Sequence, residues 1–173
     1  LLTKATLESS LTAAPLTDVE VTTVTTEKPY DRATAAVTYK IGGVDVTDEV
    51  PLSKTTDGWR LDRVTSDLTL ENVHFLEVNG QKLTQAAQKV LPGTYTAEPV
   101  SPNLSLDGDV SVTVLRTGET DAAITPKVNL SKEGVDLVKK TAKKSLDTCL
   151  AAKVSNPPNC PWEFSEDGLT VTK

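Results

Sequence analysis

The sequence predicts an α+β protein, in which a curved antiparallel β-sheet and a small β-unit are joined to an amphipathic C-terminal helix. Three observations predict it. Apolar and polar residues alternate at a period of two through Val19, Val21 and Thr23, and again through Ala35, Val37 and Tyr39. Turn-forming strings such as Gly42-Gly43, Thr55-Thr56-Asp57-Gly58 and Asn79-Gly80 separate the alternating runs. One later stretch changes period: Val135, Val138, Ala142, Leu146 and Cys149 recur at steps of three and four.

In chain order, Leu1, Ala5, Leu7, Leu11 and Ala14 carry a weak helical period that Pro15 ends, because the residue before a proline avoids the helical region. A meander of about four strands follows, through Leu70, with a turn at 27–31 and Pro51 at a strand edge or start. Val78-Asn79-Gly80-Gln81 is a hairpin, and Leu91-Pro92-Gly93 turns into a strand at Thr94. Asp107-Gly108 is read as a turn leading to Val110, Val112 and Val114. Ser131 suits a helix N-cap, with Glu133 in the first turn, and Asn129 is expected to help begin that helix. Asn156-Pro157-Pro158-Asn159 stops it. Cys160, Trp162 and Phe164 then alternate and are expected to fold back as a cover, ahead of a last strand at Leu169 and Val171. The expected organisation is residues 1–76 (helix plus meander), 77–127 (small β-unit) and 128–173 (helix, disulfide loop and terminal strand).

Composition narrows the function classes. Aromatics are 4% of the chain and Met is absent, so the core must be built mainly from Val, Leu and Ala. A net charge of −6 repels phosphate backbones and disfavours nucleic acid as a partner. Lys139, Lys140, Lys143 and Lys144 have the spacing of a solvated helix face. No apolar run reaches the length of a membrane span, and a sequence without Met even at position 1 reads as a fragment or processed product, so contact with a membrane is expected only through an anchor upstream.

Two cysteines leave two readings open. Cys149 and Cys160 lack the further ligands of a four-coordinate metal site and the spacing of a redox pair. A disulfide tying the helix end to the next loop fits better than two buried thiols, and it implies an oxidising compartment.

No catalytic residue, metal ligand or cofactor site is expected. His74 is the only histidine, and no nucleophile motif accompanies it. The carboxylate clusters Asp45/Asp48/Glu49 and Asp107/Asp109 fall at turns, where acidic residues are ordinary. Trp59, Tyr95 and Trp162 form a candidate binding surface, with core anchoring as the competing role.

The string from Pro51 to Leu61, with its Asp-Gly turn followed by Trp59-Arg60-Leu61, resembles nuclear-transport-factor-like domains of bacterial envelope proteins. Val78-Asn79-Gly80 with Leu91 to Thr96 resembles PEGA-like surface modules, and Asn129 to Cys149 followed by Asn159-Cys160-Pro161-Trp162 resembles membrane-tethered actinobacterial proteins of unknown function. The resemblance implies the extracytoplasmic part of a single-pass membrane protein and implies no activity. The function expected is a non-enzymatic binding or scaffolding module of the cell envelope, contacting protein or cell-wall glycan. Two alternatives are an enzyme of the nuclear-transport-factor-like type with a carboxylate base in a pocket, and a secreted protease inhibitor presenting the loop from Leu91 to Thr94.

Overall fold

The computed structural model describes residues 4–27, 29–152 and 158–161. It is an α+β fold of three four-stranded sheets and two helices. Helix α1 (Lys4–Ala13) precedes the first sheet, whose strands β1 (Leu16–Glu27), β2 (Arg32–Ile41), β3 (Val44–Thr55) and β4 (Gly58–Leu61) pair in chain order, all antiparallel. This is the expected four-strand meander. Gly42 and Gly43 both have positive φ, 56° and 83°, which lets a two-residue turn follow the twist of the strands it joins. The ladder runs without slippage from Ile41↔Val44 to Arg32↔Ser53.

The remaining strands are β5 (Ser66–Leu70), β6 (Leu76–Val78), β7 (Gln81–Lys82), β8 (Ala87–Val90), β9 (Gly93–Pro99), β10 (Leu104–Asp109), β11 (Ser111–Val114) and β12 (Ala122–Leu130). They form two sheets, ordered β10-β12-β5-β8 and β11-β9-β6-β7. Among the described residues, the single parallel pair is β12 with β5. Leu68, Leu70, Leu76, Val78, Val90, Tyr95, Val114 and Ile124 come from both sheets and meet in one core. Burying such side chains contributes about 1.5–3 kcal/mol each, so this cluster is the main source of stability.

Strand pairing groups the chain differently from the expected segments. β5, which the sequence reading placed at the end of the meander, pairs with β8 and β12 rather than with the meander strands. Asp107-Gly108 is not a turn. It lies inside β10, opposite Lys127 and Pro126, with Gly108 at φ 87°. Asn129 does not begin the helix either. It sits in β12, and its amide donates to Asp107 Oδ2 at 2.8 Å. β12 itself was hidden by Pro126, which lacks an N–H. The proline is tolerated because pairing with β5 stops at Ile124, while its carbonyl accepts from Asn72 Nδ2 at 3.0 Å.

Helix α2 (Lys132–Ala151) starts as the sequence implies. The Ser131 hydroxyl accepts from the Gly134 N–H at 3.0 Å, capping the first turn. Only the first turn is seated against the sheets. From Asp136 to Thr148 every residue is exposed, so the helix projects as an arm. Cys149 and Cys160 form a disulfide, with their Cα atoms 5.8 Å apart. The bridge lies at the far end of the arm. Reduction should therefore weaken the helical circular-dichroism signal while leaving the melting of the sheets unchanged, although a loop this short is worth about 3 kcal/mol to the unit it closes. A fall in the melting temperature of the sheets would show that the bridge supports the core. Phe164 and the terminal strand expected at Leu169 and Val171 lie outside the described residues.

Candidate functional site

The first sheet has one apolar face. Ala33, Ala35, Val37, Tyr39 and Ile41 project from one side of β2, since alternate residues share a face. Across the ladders they meet Leu52, Val50, Asp48, Val46 and Val44 on β3, and Thr26, Val24 and Val21 on β1. Leu61 pairs with Leu52 and extends the face onto β4.

The two ends of this face meet different fates. At one end Tyr39, Ile41 and Val46 are buried with Ala14, and Val37 and Leu115 pack against them. At the other the face is open. Val21 is 58% exposed, Val24 57%, Trp59 46% and Leu61 54%. With Val64 and Thr117 they enclose a groove of about 540 Å³. Its lining side chains are aliphatic or Thr, with Trp59 as the one aromatic. Soluble proteins rarely leave a contiguous apolar patch of this kind without a use for it.

A polar lock closes the buried end. Asp48, itself buried, accepts hydrogen bonds from the Thr117 N–H at 3.0 Å, the Thr117 hydroxyl at 3.1 Å and the Glu49 N–H at 2.9 Å. The Tyr39 hydroxyl donates to the Leu115 carbonyl at 2.6 Å, and Arg116 Nε donates to the Thr47 carbonyl at 3.0 Å. The loop 115–119 thus fastens β2 and β3 to the other two sheets, where the Ser66 hydroxyl of β5 donates to the Arg116 carbonyl.

Burial, reinforced by the nearby Asp48 charge, pushes the Tyr39 phenol up to about 12. The folded phenol holds its proton where an unfolded tyrosine, near 10, has lost it. Stability is therefore intact below pH 10 and falls as pH rises through 12. Tyrosinate absorbance followed alongside circular dichroism should show Tyr39 ionising only as the fold is lost. Ionisation of Tyr39 near pH 10 in the folded chain would contradict this.

The three candidate surface residues are not brought together. Trp59 lies on the groove. Tyr95 is fully buried in the main core, with its hydroxyl donating to the Leu91 carbonyl at 2.7 Å, so it is a core anchor and not part of a binding surface. Trp162 lies outside the described residues. The residues that sequence reading passed over are Val21, Val24, Val50, Leu52 and Leu61. The alternation of Val50 with Leu52 was visible, but alternation shows which side is apolar and not whether anything covers it, while Val21 and Val24, three residues apart, share the face only through the register shift between Val21 and Thr23.

The other candidates do not form a reactive site. His74 is exposed in a short 3₁₀ turn, Val73–Phe75. Asp45 is an exposed ion-pair partner of Lys40, and Asp107 holds Asn129. Among the described residues, no three His, Cys, Asp or Glu side chains are placed to hold a metal ion, and no helix is long and apolar enough to cross a membrane. The disulfide fits an extracytoplasmic location. No family model, curated protein or solved structure matches this chain.

Proposed function

We propose that the chain is a non-enzymatic binding or scaffolding module of the cell envelope, secreted or tethered outside the cytoplasm, that takes a protein partner on the open face of its first sheet. The observation that carries this reading is the groove of about 540 Å³ between β1 and β4, lined by exposed Val, Leu and Trp59 side chains. Such a surface gains free energy by shedding water against other apolar side chains. A glycan needs an array of hydrogen-bonding groups, and the lining offers only the hydroxyls of Thr26 and Thr117 besides Trp59. A protein partner suits it better.

The enzyme alternative needs a carboxylate base facing the cavity. Among the described residues, the groove lining holds no carboxylate, and Asp48, whose partner Thr117 lines it, already accepts from Thr117 and Glu49. The inhibitor alternative needs a protruding loop from Leu91 to Thr94. That loop is tucked beneath α1, where Gly93 faces the Ser10 side chain. The disulfide supports the compartment.

The test is a calorimetric titration with two probes, an amphipathic helical peptide and a soluble peptidoglycan fragment. The peptide should bind and the glycan should not. Leu52→Asp, which places a carboxylate on the groove floor, should weaken peptide binding at least about tenfold, equivalent to 1.4 kcal/mol. Equal peptide affinity for Leu52→Asp and the parent would overturn the reading. Binding of the glycan alone would favour a wall-binding role.

A further inference from the structure

Helix α2 carries a second uncovered apolar surface. Val138, Ala142 and Leu146 lie on one stripe of the arm, and Val138 is 53% and Leu146 41% exposed. Lys139, Lys140, Lys143 and Lys144 occupy the remaining faces, with Lys143 paired to Asp147 at 2.9 Å. A projecting helix of this length is marginal in water unless its apolar stripe is packed against something. Among the described residues, the chain therefore holds an apolar sheet face without a cover and an apolar helix without a seat.

The two surfaces match in size. Val138 to Leu146 spans about 12 Å at the rise of a helix. Ala33 to Val37, the open stretch of β2, spans about 13 Å at the rise of a strand. Three adjacent strands are about 10 Å across, close to the diameter of a helix.

They also match in charge. Residues 16–61 hold eight carboxylates and five basic side chains, whereas 132–151 hold five lysines and three carboxylates. Two sheet faces brought together would set a net negative surface against itself. Arm against sheet pairs opposite signs. Edge pairing through β1 is opposed by its two register shifts and by Glu20 and Glu27.

We infer that the partner on the open sheet face is a second copy of this chain, each copy laying the Val138–Ala142–Leu146 stripe of α2 into the groove of the other. This rests on reading the sheet face as a docking surface and names its occupant. Reciprocal exchange closes the assembly at two subunits, where a one-way contact would run on into filaments.

The experiment is light scattering coupled to size-exclusion chromatography on the intact oxidised chain, at concentrations up to about 100 µM. The expected mass is twice 18.5 kDa, with the dimer weakening as salt is raised. Leu146→Asp, on an arm that touches no core, should raise the dissociation constant by at least about 100-fold. Leu137→Asp, somewhat more exposed and off the stripe, should leave the dimer intact. A monomer at every concentration overturns the inference, and so does a dimer indifferent to Leu146→Asp. A monomeric chain that still binds the amphipathic peptide would have the docking surface but another occupant. A monomer that binds no peptide would remove both readings.

Discussion

Asp48→Ala is expected to lower the unfolding free energy by about 1.5–3 kcal/mol, the range for hydrogen bonds made to a charged group. The carboxylate accepts from two groups of Thr117 and from the Glu49 N–H, and the substitution leaves these part-buried donors without their protein acceptor. It also loosens the loop 115–119 that holds the first sheet against the other two. Asp48→Asn keeps the shape and one acceptor, and should recover part of the loss. Urea denaturation of the three proteins checks this. A loss under about 1 kcal/mol for Asp48→Ala would mean that the lock is ornamental and that apolar packing around Ile41 alone joins the two parts.

Gly134→Ala should destabilise the protein by about 2 kcal/mol, against its intrinsic helix propensity. Alanine in a helix interior is ordinarily favoured over glycine by about 1 kcal/mol. Here an added Cβ would overlap the Asn103 carbonyl oxygen, with the carbonyl carbon 3.0 Å away. Relief requires the first turn of α2 to lift, which breaks the bond from the Ser131 N–H to the Asn103 carbonyl at 3.0 Å and from the Ser131 hydroxyl to the Pro102 carbonyl at 2.7 Å. Overpacking of this kind typically costs about 1–3 kcal/mol. Thermal melts decide the sign, and a Gly134→Ala protein more stable than the parent would show that α2 is not seated on the 101–104 turn.

The meander was legible because each of its signals is local. Alternation marks the strands, and Gly42-Gly43 and Asp57-Gly58 mark the turns. The α2 start was legible for the same reason, since Ser131 caps a donor three residues away. What was not legible depends on distant partners. β5 reads as the end of the meander until β8 and β12 claim it, and no residue near Leu68 announces that pairing. Trp59 and Tyr95 look alike in sequence, each an aromatic just after a turn. Trp59 sits on the short outer strand β4, while Tyr95 sits on β9, flanked by β11 and β6 and facing the core. The groove was half legible, because the sequence marks the apolar side of β2 to β4 and the three-dimensional arrangement decides that Ala14 and Leu115 cover only one end of it.

Energy transfer from Trp59 to a bound anilinonaphthalene dye, in the Trp162→Phe variant so that Trp59 is the sole donor, tests the docking role of the open sheet face most directly. The dye should bind the folded chain, quench Trp59 strongly, and be displaced by the amphipathic peptide. A folded chain that leaves Trp59 unquenched at saturating dye, or dye that stays in place when the peptide is added, would contradict it.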